Sequence, residues 1–467
     1  MARRGDMLVI HLVFQLLDLD GIDEPTLNWR PTLDRVPETA ASVQSWLIHH
    51  VEELNALSDA LPGGARDLRA HILHNLAAHL NEAGQPHDAL QAHAEAIEEY
   101  RAMAQHDASA HLPDLAMALN SYAISLAQLD CGDEALAACQ EAVAIHRTIE
   151  ASHPGTHLDG LARALNTLGA RLSENGLHDH AVAVGEEAVM VARRLSEHDR
   201  DAHMYLLATT LNSYSAHLRR AGRDSLGAAA EAVRLYRTLA ETNPRGNLPR
   251  VAGALANLAG HLGSVGRHQE ALRSLQEAME IYEQLPDDVR KGFLPREAQT
   301  LSNLGNRLAV LRRPEKAAEA CRRAVELMIA LAADSAVHLA GLARCRANYA
   351  ARLATLGQFH DAVREATDAV QIYRELADLQ PGRYEREFSG MLATLGSVQV
   401  MTEDYHAAAR TLAEAILRAP EDGPDQHIDL AINALRRAHA HAPAETRAGW
   451  QAVTGMSFPE WLRDEGP

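Results

Sequence analysis

The chain has 467 residues, 47% of them apolar but only 4% aromatic, and carries a formal net charge of −19. Ala and Leu must form its core, which favours closely approaching helices over sheets built on β-branched and aromatic side chains. A surface this acidic repels phosphate backbones and anionic lipid, which sets nucleic acid and membrane aside as partners.

The apolar run near the start, residues 7–17, is broken by His11 and Gln15 and is too short to span a bilayer. Arg3 and Arg4 precede it, but Asp6 intervenes and no small-residue cleavage site follows, so it reads as an amphipathic helix rather than a leader. Residues 21–37 hold Pro25, Pro31 and Pro37 and read as an extended connector, and residues 43–57 are again amphipathic. Residues 1–66 are therefore expected to form an N-terminal helical cap.

From residue 67 to 420 one pattern returns eight times. A charged residue, an Ala and an aliphatic recur with the Ala at Ala96, Ala142, Ala188, Ala232, Ala278, Ala324, Ala369 and Ala415, a period of about 46. Upstream of each lies a second stripe. In the third copy Leu165, Leu168, Gly169 and Leu172 fall at i, i+3, i+4 and i+7, one face of a helix. The small member of that stripe recurs as Ala77, Ala123, Gly169, Ser215, Ala259, Gly305, Ala350 and Gly396, which admits a close neighbour. A bulky residue follows the tripeptide Ala by four: Tyr100, His146, Tyr236, Tyr282, Met328 and Tyr373. Gly84, Gly176, Gly222, Gly266 and Gly357 mark the turn inside each unit, and Pro154, Pro244 and Pro381 mark breaks between units.

These spaced Leu, Gly/Ala and paired Ala positions resemble the tetratricopeptide repeat, here Leu165, Leu168, Gly169, Leu172, Ala181 and Ala188 with their counterparts. The period exceeds the family's usual ~34. This long form is similar to the repeats of kinesin light chains and to the repeat tails of actinobacterial signal-transduction ATPases. The resemblance implies an all-α fold, a right-handed α-solenoid of about eight helix hairpins with diverged helical caps. No GxxxxGK[ST] loop and no GxGxxG opening a helix occurs, so the resemblance to ATPase tails implies the sensor part without the nucleotide engine.

Residues 421–467 read as C-terminal capping helices and tail. The stretch 450–462, with Trp450, Phe458 and Trp461, serves as a lid on the last repeat or as a docking peptide for a partner, including a second copy that would form a homodimer through the termini. Cys131, Cys139, Cys321 and Cys345 form no CxxC pair and read as reduced thiols of a cytoplasmic protein.

On the first helix of each unit, the residue two past the first stripe Leu lies ~200° away, on the far face. It is Asn75, Ser121, Thr167, Ser213, Asn257, Asn303, Asn348 and Thr394, all small, polar and uncharged. Asn120, Asn166 and Asn212 widen this column by one position. Side-chain amides offer both donor and acceptor to a peptide backbone, and the resemblance to kinesin light chains implies groove asparagines of that kind. The competing reading is that short polar groups fit a crowded face and bond back to their own helix. A second column, four residues on, holds His79, Ser125, Arg171, His217, His261, Arg307, Arg352 and Val398. With Arg163 and Arg344 one turn earlier, it suggests a cationic lining for an acidic segment or a C-terminal carboxylate, or else salt bridges between units.

No nucleophile with a base, no carboxylate pair and no complete ligand set emerges, so neither an enzyme nor a metal or cofactor is expected. His71 and His74 sit at i, i+3 without a completing ligand, and His79, His217 and His261 invite pH-sensitive binding. The expected function is a scaffold, adaptor or sensor that binds an extended peptide or partner segment in its groove. The alternative is a peptide-responsive regulatory receptor whose superhelix changes on binding.

Overall fold

The computed structural model describes residues 64–82, 85–129, 131–379, 384–419 and 426–462. Residues 1–63 of the cap expected over residues 1–66, the turn at Gly84 and the break at Pro381 lie outside the described residues. Among those described there is no strand, and no helix is long and apolar enough to cross a membrane. The chain divides into two compact units, Met1–Leu235 and Tyr236–Pro467.

In the first unit the hairpins are α1 Gly64–Glu82 with α2 Pro86–Ala104, α3 Ala108–Gln128 with α4 Gly132–Ser152, and α5 Leu158–Glu174 with α6 His178–His198. They are followed by α7 Arg200–Arg220 and by α8 Leu226–Thr242, in which the division falls. In the second unit α9 Pro244–Ser264 pairs with α10 His268–Gln284, and a short α11 Asp287–Lys291 intervenes. Then α12 Leu294–Val310 pairs with α13 Pro314–Asp334, α14 Leu339–Thr355 with α15 Phe359–Leu379, and α16 Glu385–Met401 with α17 Tyr405–Arg418. Two further helices follow, α18 Gln426–His441 and α19 Pro443–Thr454.

Each unit is a solenoid-type stack. First helices touch in succession, α1 on α3 on α5 on α7 in one unit and α9 on α12 on α14 on α16 in the other, while second helices fill the opposite layer. Small side chains make that possible. All eight tripeptide alanines are at most 1% exposed, and every member of the first-helix small column is buried. At Gly305 an added Cβ would stand 2.9 Å from the Ala317 carbonyl and closer still to Cys321 Sγ. The bulky residues Tyr100, His146, Tyr236, Tyr282, Met328 and Tyr373 are all buried, and Leu165 is fully so. A fully buried leucine contributes about 2 kcal/mol.

Caps and turns set the boundaries. Asp107, Asp199 and Asn243 cap α3, α7 and α9 by accepting from Ala110, Ala202 and Gly246 backbone N–H groups at 3.0–3.1 Å. Gly176, Gly222, Gly266 and Gly357 take positive φ in the hairpin turns, and Arg312 and Glu403 do so where the sequence supplies no glycine. The second helices are also laced by ion pairs one repeat apart, such as Arg101 with Glu141 and Arg147 with Glu187, both at 2.7 Å. Between α11 and α12, Arg290 grips the fully buried Glu297 through two hydrogen bonds of 2.8 and 2.6 Å.

Helices α18 and α19 pack on the last hairpin, α18 on α16 and α17 and α19 on α17. Trp450, Phe458 and Leu462 are buried there, with Phe458 edge-on to Trp450 at 5.7 Å and stacked on His439 at 4.6 Å, while Trp461 faces outward. This stretch packs against α17 and α18.

Candidate functional site

The polar column follows the exposed flank of the first helices. Asn75, Ser121, Thr167, Ser213, Asn303, Asn348 and Thr394 are half-buried and Asn257 is exposed; none is sealed. Asn120, Asn166 and Asn212 are half-buried beside them, and Asn120 Oδ1 is buried without a hydrogen-bond partner. Local bonds occupy part of the column. Thr167 donates to the Arg163 carbonyl at 3.1 Å and Thr394 to the Gly390 carbonyl at 3.0 Å, the back-bonding of a hydroxyl to its own helix. Asn348 Nδ2 donates across to Ser302 Oγ on the preceding first helix at 2.8 Å. Asn303 Oδ1 accepts from Gln299 Nε2 at 3.1 Å, and Gln299 in turn accepts from Arg344.

The second column sits differently from a cationic lining. His217 is 4% exposed and His261 1%, so both rings are withdrawn from the surface. His217 from α7 lies over α5 and α6: a Cβ at Gly169 would come within 3.1 Å of its Nε2, and one at Gly185 within 3.2 Å of its Cδ2. Burial first, then the neighbouring Arg220 and His178, push the His217 imidazolium down to about 4, so the ring is neutral at neutral pH. The physical reason is the stacking itself. One flank of each first helix meets the preceding first helix, and the second column lies on that flank. Arg171 pairs with Glu174 at 2.9 Å, and Arg307 crosses above Gly263 to lie 2.9 Å from His268 Nδ1. Burial holds the Arg307 guanidinium below its usual range. Arg352 is half-buried with its Nε unpartnered, Val398 is buried, and the side chain of His79 lies outside the described residues.

In the second unit the polar column opens into a cavity of about 440 Å³ between α9, α12 and α14. Asn257, Asn303, Gln299 and Thr300 give it amide and hydroxyl groups, Tyr282, Met328 and Cys345 a partly apolar floor, and Arg296 and Arg344 two exposed guanidinium groups. Among the described residues no aspartate or glutamate lines it, although the chain carries 63 of them. Of the expected site residues the structure thus brings Asn257 and Asn303 into one cavity and adds Arg296, Gln299 and Thr300, which the column reading missed. Gln299 and Arg344 stand one turn before Asn303 and Asn348, the i−4 position on the same face, and that spacing is the signal that finds them.

A sequence model of the tetratricopeptide repeat matches residues 251–285, which hold Asn257 and His261. No curated protein matches the chain. Among solved structures, BtubC from P. vanneervenii is 19% identical over 52% of this chain and 90% of its own, with a TM-score of 0.42. A putative kinesin light chain with nearly identical repeats from Podosopora anserina is 18% identical over 49% of this chain and 100% of its own, at 0.35. A signal transduction ATPase with a tetratricopeptide repeat sensor from Pyrococcus horikoshii is 13% identical over 82% of this chain and 53% of its own, at 0.45. Residues 251–285 thus match a tetratricopeptide repeat in sequence, and the eightfold sequence pattern and the stacked helix hairpins of both units are similar in kind to that repeat.

Proposed function

We propose that the protein is a binding scaffold and that the face of α9, α12 and α14 receives an extended, acidic peptide segment of a partner protein. One observation carries this reading: the cavity is lined by amides and two exposed arginines and by no carboxylate, in a chain of net charge −19. Asn257 and Asn303 offer donors and acceptors that suit a peptide backbone of any sequence. Arg296 and Arg344 supply what distinguishes one peptide from another, since guanidinium groups pair with carboxylates in a two-pronged geometry. In a chain of net charge −19, a cavity lining with two guanidinium groups and no carboxylate among the described residues favours an acidic segment there.

The test is selection from a peptide library displayed with free C-termini. Retained sequences are expected to be enriched in Asp, Glu or a terminal carboxylate. The double substitution Arg296→Ala, Arg344→Ala should weaken them at least about tenfold, as loss of ~1.4 kcal/mol or more requires. Enrichment of neutral or basic sequences, or retention indifferent to both arginines, contradicts the reading.

A further inference from the structure

At the start of the described chain, α1 and α3 bring a small set of metal-ligating groups together. Asp67 stands in the first turn of α1, and His111 and Asp114 lie at i, i+3 on α3. One ligand atom from each lies within 4.8 Å of the others. His111 Nδ1 is 3.8 Å from Asp67 Oδ1, and His71 Nδ1, one turn further along α1, is 3.4 Å from the same oxygen. Neither Asp67 Oδ1 nor His111 Nδ1 has a hydrogen-bond partner, although both atoms are buried. Beneath them Tyr100, 0% exposed, holds its hydroxyl without a partner and packs edge-on to His71 at 5.6 Å. The same bulky position is His146 in the next repeat, where it meets Gly160 of α5; the counterpart of Gly160 is here Asp114, whose charge acts on the Tyr100 hydroxyl.

Unpartnered buried polar atoms are costly. Two half-buried carboxylates held this close also repel each other. A divalent cation removes both costs at once, by drawing an oxygen from each carboxylate and a nitrogen from the imidazole into one shell and leaving a position for water. The mixed donor set selects the metal class. Ca²⁺ and Mg²⁺ take oxygen donors, whereas an imidazole with carboxylates suits Zn²⁺ and its first-row neighbours.

We propose that Asp67, His111 and Asp114 form a site for a first-row divalent cation such as Zn²⁺, with the Tyr100 hydroxyl facing a water on the metal. The ion ties α1 to α3 and so fastens the first hairpin to the second. His71 donates from Nδ1 to the Asp67 carbonyl at 2.9 Å, which steadies the turn that carries Asp67. The side chain of Asp67 is 43% exposed and that of His111 22%, so the ion has a path from solvent.

The test uses the full chain stripped of metal. Calorimetric titration with Zn²⁺ should show one tight equivalent above the weak binding of scattered surface histidines, and the melting temperature should rise with Zn²⁺. Co²⁺ in its place should give visible absorption bands. Asp114→Asn and His111→Gln should each weaken the tight equivalent at least tenfold and remove the Co²⁺ bands, with the far-ultraviolet circular dichroism unchanged. Asp114→Asn should also melt higher than the wild type without metal, because one of two repelling charges is gone, and lower than it with Zn²⁺ present. That crossing is a readout that a merely structural acid would not produce. The proposal is overturned if no saturable Zn²⁺ uptake occurs, if the tight equivalent survives both substitutions, or if the wild type and Asp114→Asn keep the same order of melting with and without Zn²⁺. If one variant does not fold, the other carries the comparison.

Discussion

Glu283 of α10 and Arg323 of α13 form an ion pair at 3.1 Å whose polarity is reversed relative to its counterparts along the second helices. Arg101–Glu141, Arg147–Glu187, Arg193–Glu231, Arg237–Glu277 and Arg374–Glu414 all place the arginine on the earlier helix. The earlier partner always stands five past the tripeptide Ala, and the later one just before the next. The single basic opening of the tripeptide, Arg323, is thus the complement of a glutamate forty residues earlier. After it the ladder breaks: the next earlier position is the exposed Ile329, and Asp368 turns to Arg346 at 2.8 Å.

The ladder sets which repeat follows which more than it stabilises. Exposed pairs contribute about 0.2–1 kcal/mol. Arg147→Glu should destabilise the chain modestly, and adding Glu187→Arg should recover most of the loss, a coupling of about 0.5 kcal/mol in a double-mutant cycle read by urea denaturation. A coupling of zero would leave the ladder without energetic meaning.

Overpacking tests the contact between the two helices of a hairpin. Gly305→Leu drives a side chain into Ala317 and Cys321 and should cost about 1–3 kcal/mol or more. Gly227, which has nothing within 4 Å of an added Cβ, is the control: Gly227→Ala should be neutral or slightly stabilising. Equal melting temperatures for the two variants would contradict the assigned face.

Arg312 and Glu403 end α12 and α16 with φ of 54° and 63°, the conformation that glycine takes at Gly266 and Gly357. A side chain there costs roughly 1–2 kcal/mol. Arg312→Gly and Glu403→Gly should each stabilise the chain by about 0.5–1 kcal/mol, less than the full strain because glycine also gains freedom on unfolding. A loss of stability in both would refute the strain.

Acid should loosen the first unit. Burial lowers the imidazolium values of His74, His146 and His217 to about 4 and of His93 to about 3, from 6.5. The unfolded chain binds these protons first, so stability is full above about 6.5 and declines as pH falls toward 4. Urea midpoints should drop between pH 7 and 5, and His93→Leu should flatten the slope. A midpoint that rises on acidification would contradict the buried neutral rings.

The repeat was legible because burial leaves a compositional trace: a position such as Ala77 or Gly305 stays small in every copy when a neighbour sits on it. The polar face was legible for the same reason, through a helical period that one helix carries alone. What one helix does not carry is its neighbour. Helical-wheel arithmetic put His217 and His261 beside Arg307 on one stripe, and only the stacking of first helices shows that the stripe runs into a packed flank. The charge ladder and the Asp67–His111–Asp114 group were hidden likewise, because their members are unremarkable singly and meet across repeats.

The most direct measurement of the central claim is the calorimetric affinity of a library-selected acidic peptide for the wild type and for the triple variant Asn257→Ala, Asn303→Ala, Arg344→Ala. The account predicts affinity lowered at least about tenfold with circular dichroism and melting temperature held close to wild type. Undiminished affinity in a folded triple variant would place the binding surface somewhere other than α9, α12 and α14.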